Sequence, residues 1–206
     1  IDLNVMTEGQ DLFSLTSLLL TKLRPVLDEL SPDCILVHGD TTTSMVAALA
    51  GFYCDIPVGH VEAGLRTGKL RSPFPEEFNR RVSGIIAQWH FAPTQKNKDN
   101  LLAEQVDKSQ IFVTGNTVVD ALHQMRDRLN KDSKLKIDIQ NQLVRQLGFD
   151  PKESERMILL TCHRRENFGE GLMQICSAVR VLATSHPGSQ FIFPVHLNPK
   201  ISEHVQ

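Results

Sequence analysis

CILVHGDTTTSMVAALAGFYCDIPVGHVEAG, residues 34–64, reads as a strand, a helix and a second strand. Cys34 to Val37 is a short β-rich apolar run, Thr42 to Tyr53 is a small-residue helical stretch, and Pro57 to Val61 is apolar and extended again. A strand returning after about a dozen helical residues is the signature of a parallel βαβ unit. The same rhythm continues outward. A helix is expected over Glu76 to Ile86, a strand over Trp89 to Ala92, a helix from an N-cap at Thr94 to about Glu104, and a strand over Gln110 to Thr114. Val118 to Leu147 is helical but more polar, with Gly148 as its stop. Beyond it come a strand over Met157 to Thr161, a helix over Gly171 to Ala183, a strand over Gln190 to Val195 and the opening of a last helix. Six strands joined by right-handed crossovers predict an α/β fold with doubly wound sheets.

Composition is consistent with this reading. The chain has 206 residues, a net charge of −2, 41% apolar and 22% charged residues, which excludes disorder and leaves ample core. No apolar run approaches the ~20 residues of a membrane helix, and no contiguous basic face is available for nucleic acid. Cys34, Cys54, Cys162 and Cys176 stand singly, which predicts reduced, buried thiols in a cytoplasmic protein. IDLNVMTEGQ at the start lacks an initiator Met and a signal pattern, so the chain is expected to be the middle of something longer.

Ligands of such sheets bind beyond the carboxyl ends of the strands. The residues there are polar and ionisable: His38 to Thr43, His60 to Arg66, Thr114 to Thr117, Thr161 to Asn167, and Val195 to Pro199. Four of the eight histidines are thereby expected at one edge. Asp40 can be an N-cap for the helix at Thr42 or a proton-transfer group; Glu62 can be an ion-pair partner of Arg66 or another base, or a second such group. Glu76 and Glu77 suit the first turn of a helix, and they can also supply a third carboxylate to the same crevice. His163, Arg164 and Arg165 at a helix entrance suit a diphosphate or a carboxylate, or form a solvated charge run. Arg66 and Asn116, at two strand ends, are further substrate-binding candidates. No dinucleotide glycine motif, P-loop, nucleophile elbow or helical metal pair is present.

Six motifs occur in order: HGDTTTS (38–44), PVGHVEAGLRTG (57–68), SPFPEEFNRR (72–81), TGNTVVDAL (114–122), TCHRRENFGEG (161–171) and PVHLNP (194–199). Together they closely resemble the non-hydrolysing bacterial UDP-N-acetylglucosamine 2-epimerases. The resemblance implies two Rossmann-like domains facing a cleft, the glycosyltransferase B architecture. Residues 1–117 would belong to the first domain, 118–154 to a helical linker region and 155–206 to the start of the second. It further implies Asp40, Glu62, Glu76 and His163 as catalytic residues, and Arg164 and His196 around the nucleotide sugar or an allosteric copy. The implied reaction interconverts UDP-GlcNAc and UDP-ManNAc through elimination of UDP to a 2-acetamidoglucal, for cell-surface polysaccharide synthesis. No cofactor or metal is implied; a second UDP-GlcNAc as activator and a homodimer are. Two family hallmarks, a G-T-R-P-E segment and a D-S-G-G-x-x-E-E type segment, do not occur in these residues. A hydrolysing epimerase, a UDP-sugar glycosyltransferase and a non-catalytic nucleotide-sugar binding module remain as alternatives.

Overall fold

A computed structural model describes residues 1–7, 9–162 and 170–195. The chain divides into two compact units, residues 1–123 and 124–206. In the first unit, β1 (Ile35–His38), β2 (Val58–Val61), β3 (Trp89–Ala92) and β4 (Ile111–Val113) form a parallel sheet in that order. The connections are α2 (Thr42–Tyr53), α3 (Glu76–Ile86) and α4 (Gln95–Ala103). Thr94 caps α4 as expected, accepting from the Asn97 amide.

Strand alternation sorts the sheet into two faces. Ile35, Val37, Val58 and Ala92 lie under the helices, packed with Ala47, Ala48, Ile86 and Leu101. Leu36 and Phe112 belong to the opposite face and remain exposed, Phe112 stacking on Phe91. The helix-covered face includes a row of register partners, Val37, His60, His90 and Ile111, all buried. His60 therefore does not join the strand-end edge. It lies within β2, 1% exposed, with Nε2 2.8 Å from the Gly39 carbonyl.

α1 (Leu12–Leu30) precedes the first strand and has no counterpart in the sequence reading. An alternation of strands and crossovers locates helices between strands, not ahead of them. Asp11 caps α1 by accepting from the Ser14 amide at 2.7 Å. Pro25 sits inside the helix, a residue that usually ends one. Packing of Leu19 against Met45 and Val46 of α2 secures α1 on the sheet's helical layer.

The helical stretch after β4 consists of two helices. α5 (Thr117–Lys131) stops at Asp132, whose carboxylate accepts from the Leu135 amide at 2.9 Å and caps α6 (Ser133–Leu147). Competition by this short polar side chain for a backbone donor interrupts the periodicity. In the second unit, β5 (Arg156–Leu159) and β6 (Ser189–Ile192) pair in parallel around α7 (Glu170–Ser185). β6 stops short of the expected Val195, since Pro194 has no N–H for the ladder. The expected last helix lies outside the described residues. None of the four cysteines is fully buried, contrary to expectation, and Cys34 is exposed. Among the described residues, no helix is long and apolar enough to cross a membrane.

The neighbouring His60 and His90 make the sheet acid-sensitive. Burial lowers the pKa of both; the Gly39 carbonyl opposes it at His60, while the nearby His60 and Arg66 add to it at His90, reaching about 4. The folded protein thus binds fewer protons than the unfolded chain, in which histidine titrates near ~6.5. The stabilisation is complete above the unfolded value and is lost as pH falls toward about 4. Up to about 3 kcal/mol is at stake at His90. Urea midpoints of the full-length protein at pH 7 and 4.5 should fall steeply, and His90→Gln should flatten that fall. Equal slopes for the two proteins would exclude His90 as the cause.

Candidate functional site

The ends of β1 and β2 lie side by side because β1 and β2 are register partners up to His38 and Val61. Beyond β1, Gly39 turns the chain with φ +72°, a conformation that costs glycine little. Asp40 follows, then the cap of α2. That cap is Thr41, not Asp40: Thr41 Oγ1 accepts from the Ser44 amide at 3.2 Å. Asp40 is thereby free of the structural role that the sequence allowed it, and its carboxylate turns to α3. Arg80 reaches Asp40 Oδ2 from Nε at 2.9 Å and from a terminal nitrogen at 2.7 Å. Asn79 donates to the Asp40 carbonyl at 2.8 Å.

Beyond β2, Glu62 adopts φ +67°. A left-handed backbone costs a branched or long side chain of order 1–3 kcal/mol and persists where surroundings or function demand it. The turn points the carboxylate at the β1 end. Oε2 lies 3.5 Å from His38 Nε2, and a Cβ placed on Gly39 would stand 3.4 Å from the same oxygen. The base that Glu62 faces is thus His38 rather than Arg66.

Arg66 is committed elsewhere. Its Nε and a terminal nitrogen donate to the two oxygens of Glu104 at 2.7 and 2.8 Å, and its other terminal nitrogen donates to the Leu65 carbonyl at 2.8 Å. Only 8% of the side chain is exposed. The Arg66 fork holds the Glu104 carboxyl below its ordinary range against the opposing effect of burial. A substrate-binding role for Arg66, expected from its place after β2, conflicts with this closed pair. Nearby, Gly64 is required to be glycine: its φ is +87° and a Cβ would clash with the Asn97 carbonyl.

The loop into α3 carries cis bonds before Pro73 and Pro75. Glu76 and Glu77 then behave differently. One oxygen of Glu76 is buried with no hydrogen-bond partner among the described residues. Such a group forgoes about 1–3 kcal/mol unless a ligand or proton satisfies it. Glu77 is completely buried and fully paired, accepting from the Thr67 amide at 3.1 Å, Arg80 at 3.0 Å and Arg81 at 3.3 Å. Burial alone would raise its pKa, but the Thr67 and Gly68 amides and both arginines together bring it below the ordinary value. At the β4 end, Asn116 Oδ1 accepts from the Val118 amide at 2.9 Å and so starts α5. His163, Arg164 and His196 lie outside the described residues. Among the described residues, no cluster of His, Cys, Asp and Glu is arranged to hold a metal.

The family model described as UDP-N-acetylglucosamine 2-epimerase matches residues 1–206. The chain belongs to the UDP-N-acetylglucosamine 2-epimerase family. A relative of that name from Yersinia pestis is 53% identical over 204 residues, covering 99% of this chain and 53% of the relative. The Escherichia coli K12 relative is 51% identical over 205 residues, with the same two shares covered. A crystal structure of the Neisseria meningitidis enzyme bound to UDP-GlcNAc matches with TM-score 0.91 at 46% identity, covering 100% of this chain and 54% of that one. The Methanocaldococcus jannaschii enzyme, in complex with UDP-GlcNAc and UDP, matches with TM-score 0.74 at 32% identity and covers 98% and 51%. The chain spans about half the length of the curated relatives it matches.

Within this epimerase-family chain, sequence reasoning missed Asn79 and Arg80, and it did not separate the paired Glu77 from Glu76. A signal was present in EEFNRR, where Glu77 precedes Arg80 by three residues and Arg81 by four, the spacing of helical ion pairs. The backbone at Glu62 supplies a test of its own. If the left-handed turn belongs to the chain and the carboxylate to the chemistry, Glu62→Gly should be more stable than Glu62→Ala by about 1 kcal/mol, reversing the usual order. Thermal unfolding of the two variants measures this. Greater stability of the alanine variant would show that the turn is not held in place by its surroundings.

Proposed function

We propose that this chain contributes the proton-transfer half of a non-hydrolysing UDP-N-acetylglucosamine 2-epimerase. The observation that carries the reading is the placement of two acids, Asp40 and Glu62, just beyond the ends of adjacent parallel strands, the location where such sheets take ligands. Glu76, with an oxygen that no donor among the described residues satisfies, is the third acid. The family match and the UDP-GlcNAc named with the Neisseria structure supply the substrate class.

Inversion at C2 of the sugar needs a proton removed from one face and returned to the other. A carboxylate takes the C2 proton, the C1–C2 double bond forms, and the C1–O bond breaks with its electron pair leaving on UDP. The product pair is 2-acetamidoglucal and UDP. In the return step UDP adds to C1 and a carboxylic acid delivers a proton to C2 from the opposite side, so the overall reaction is an isomerisation. Positioned acids and bases contribute ~10²–10⁴-fold to such steps. Asp40, Glu62 and Glu76 are the candidates for the proton, with His163. Arg164 and His196 are the candidates for the diphosphate, and Asn116 can offer its amide nitrogen to the sugar nucleotide, its oxygen being used at α5. A second UDP-GlcNAc as activator and a homodimer belong to the same reading.

The test is incubation of the full-length protein with UDP-GlcNAc in D₂O. UDP-ManNAc carrying deuterium at C2 is the expected product, whereas free ManNAc as the main product identifies a hydrolysing enzyme. A requirement for an acceptor identifies a glycosyltransferase. Glu62→Gln should reduce C2 exchange by ~10²-fold or more and leave UDP affinity within a few-fold. Wild-type exchange in that variant would remove Glu62 from the chemistry.

A further inference from the structure

The geometry points to Arg80 as a positioning residue that orients Asp40 for catalysis, leaving Oδ1 as the reacting oxygen. The inference rests on the proposed proton-transfer role of Asp40. Two nitrogens of Arg80 converge on one oxygen, Oδ2, at 2.9 and 2.7 Å. No donor among the described residues reaches Oδ1. Rotation of the carboxylate would break both bonds, so the free oxygen has a set direction. The main chain is held at the same residue by Asn79, whose Nδ2 donates to the Asp40 carbonyl at 2.8 Å.

Arg80 is itself held. Its remaining terminal nitrogen donates to Glu77 Oε2 at 3.0 Å, its side chain is 8% exposed, and Glu77 is completely buried. Glu77 also accepts from Arg81 and from the Thr67 amide, so three separate donors keep it in place. A planar guanidinium can serve two carboxylates in fixed directions, which an ammonium point charge cannot. Nothing in the cap of α2 requires this arrangement, since Thr41 performs the capping. A staple joining α3 to the β1 end would be satisfied by any cation, and would act on stability alone. An orienting clamp acts on turnover, where a misplacement of about 1 Å costs ~10²-fold.

The experiment is a double-mutant cycle in the full-length protein, with kcat and KM for UDP-GlcNAc measured for Arg80→Lys, Arg80→Gln, Asp40→Asn and the two double variants. Residual C2 deuterium exchange is followed at high enzyme concentration where turnover is slow. The expected kcat losses are roughly 10-fold for Arg80→Lys and ~10²-fold for Arg80→Gln, with KM within about threefold. In the Asp40→Asn background the Arg80 substitutions should cause no further loss, because the residue acts through Asp40. Losses that multiply in the double variants, or wild-type kcat in a folded Arg80→Lys protein, would overturn the proposal. Cooperative thermal unfolding identifies the folded variants, and Arg80→Lys, which keeps the charge, carries the test if Arg80→Gln does not fold. Wild-type kcat in Asp40→Asn alone would instead refute the proposed role of Asp40.

Discussion

The completely buried carboxylate of Glu77 is the constraint on which the site depends. An ionised group without water costs several kcal/mol unless donors replace its hydration. Here the donors come from two places in the chain, the amide of Thr67 in the loop after β2 and the arginines of α3 itself. The charge therefore joins the loop to the helix, and through Arg80 joins both to the Asp40 turn beyond β1. A hydrophobic residue in place of Glu77 could be as stable, yet it would not tell Arg80 where to point. The polar face of α3 is thus buried for orientation, at some expense in desolvation.

The two sheet ends make complementary use of the backbone. Gly39 reverses β1 with a positive φ that glycine tolerates, while Glu62 adopts the same region with a long side chain. The first turn is inexpensive and the second is strained, and the strained one carries the candidate catalytic group. Between them, His60 ties β2 to the Gly39 carbonyl from inside the core. The positions of the two acids are consequently set by strand pairing, one glycine turn and one strained turn.

Much of the fold was legible because each crossover buries a periodic face. The spans of α2 and α3 and of β3 follow directly from apolar spacing and the acids at the start of α3. α1 was not legible from an alternation that begins with a strand, and its Pro25 hides it further. Asp132 concealed a break because the residue is an ordinary polar position until its carboxylate finds the Leu135 amide. The candidate acids Asp40, Glu62 and Glu76 were nameable from motif and strand-end position. Their partners were not: Asp40 is held by a residue 40 positions away and Arg66 by one 38 positions away.

The sequence by itself determined the α/β class, the parallel crossovers and the family, because hydrophobic period and motif order are local properties that survive without coordinates. It also determined which residue types collect beyond the strands. Only the tertiary structure decided that Thr41 rather than Asp40 caps α2, that Arg66 is consumed by Glu104, that His60 is buried beside His90, and that Glu77 rather than Glu76 is the paired acid of the first turn. The physical reason is that pairing and burial are set by where distant segments meet. Two adjacent glutamates on a helix point in directions about 100° apart, and only the packing of that helix determines which of them meets arginine.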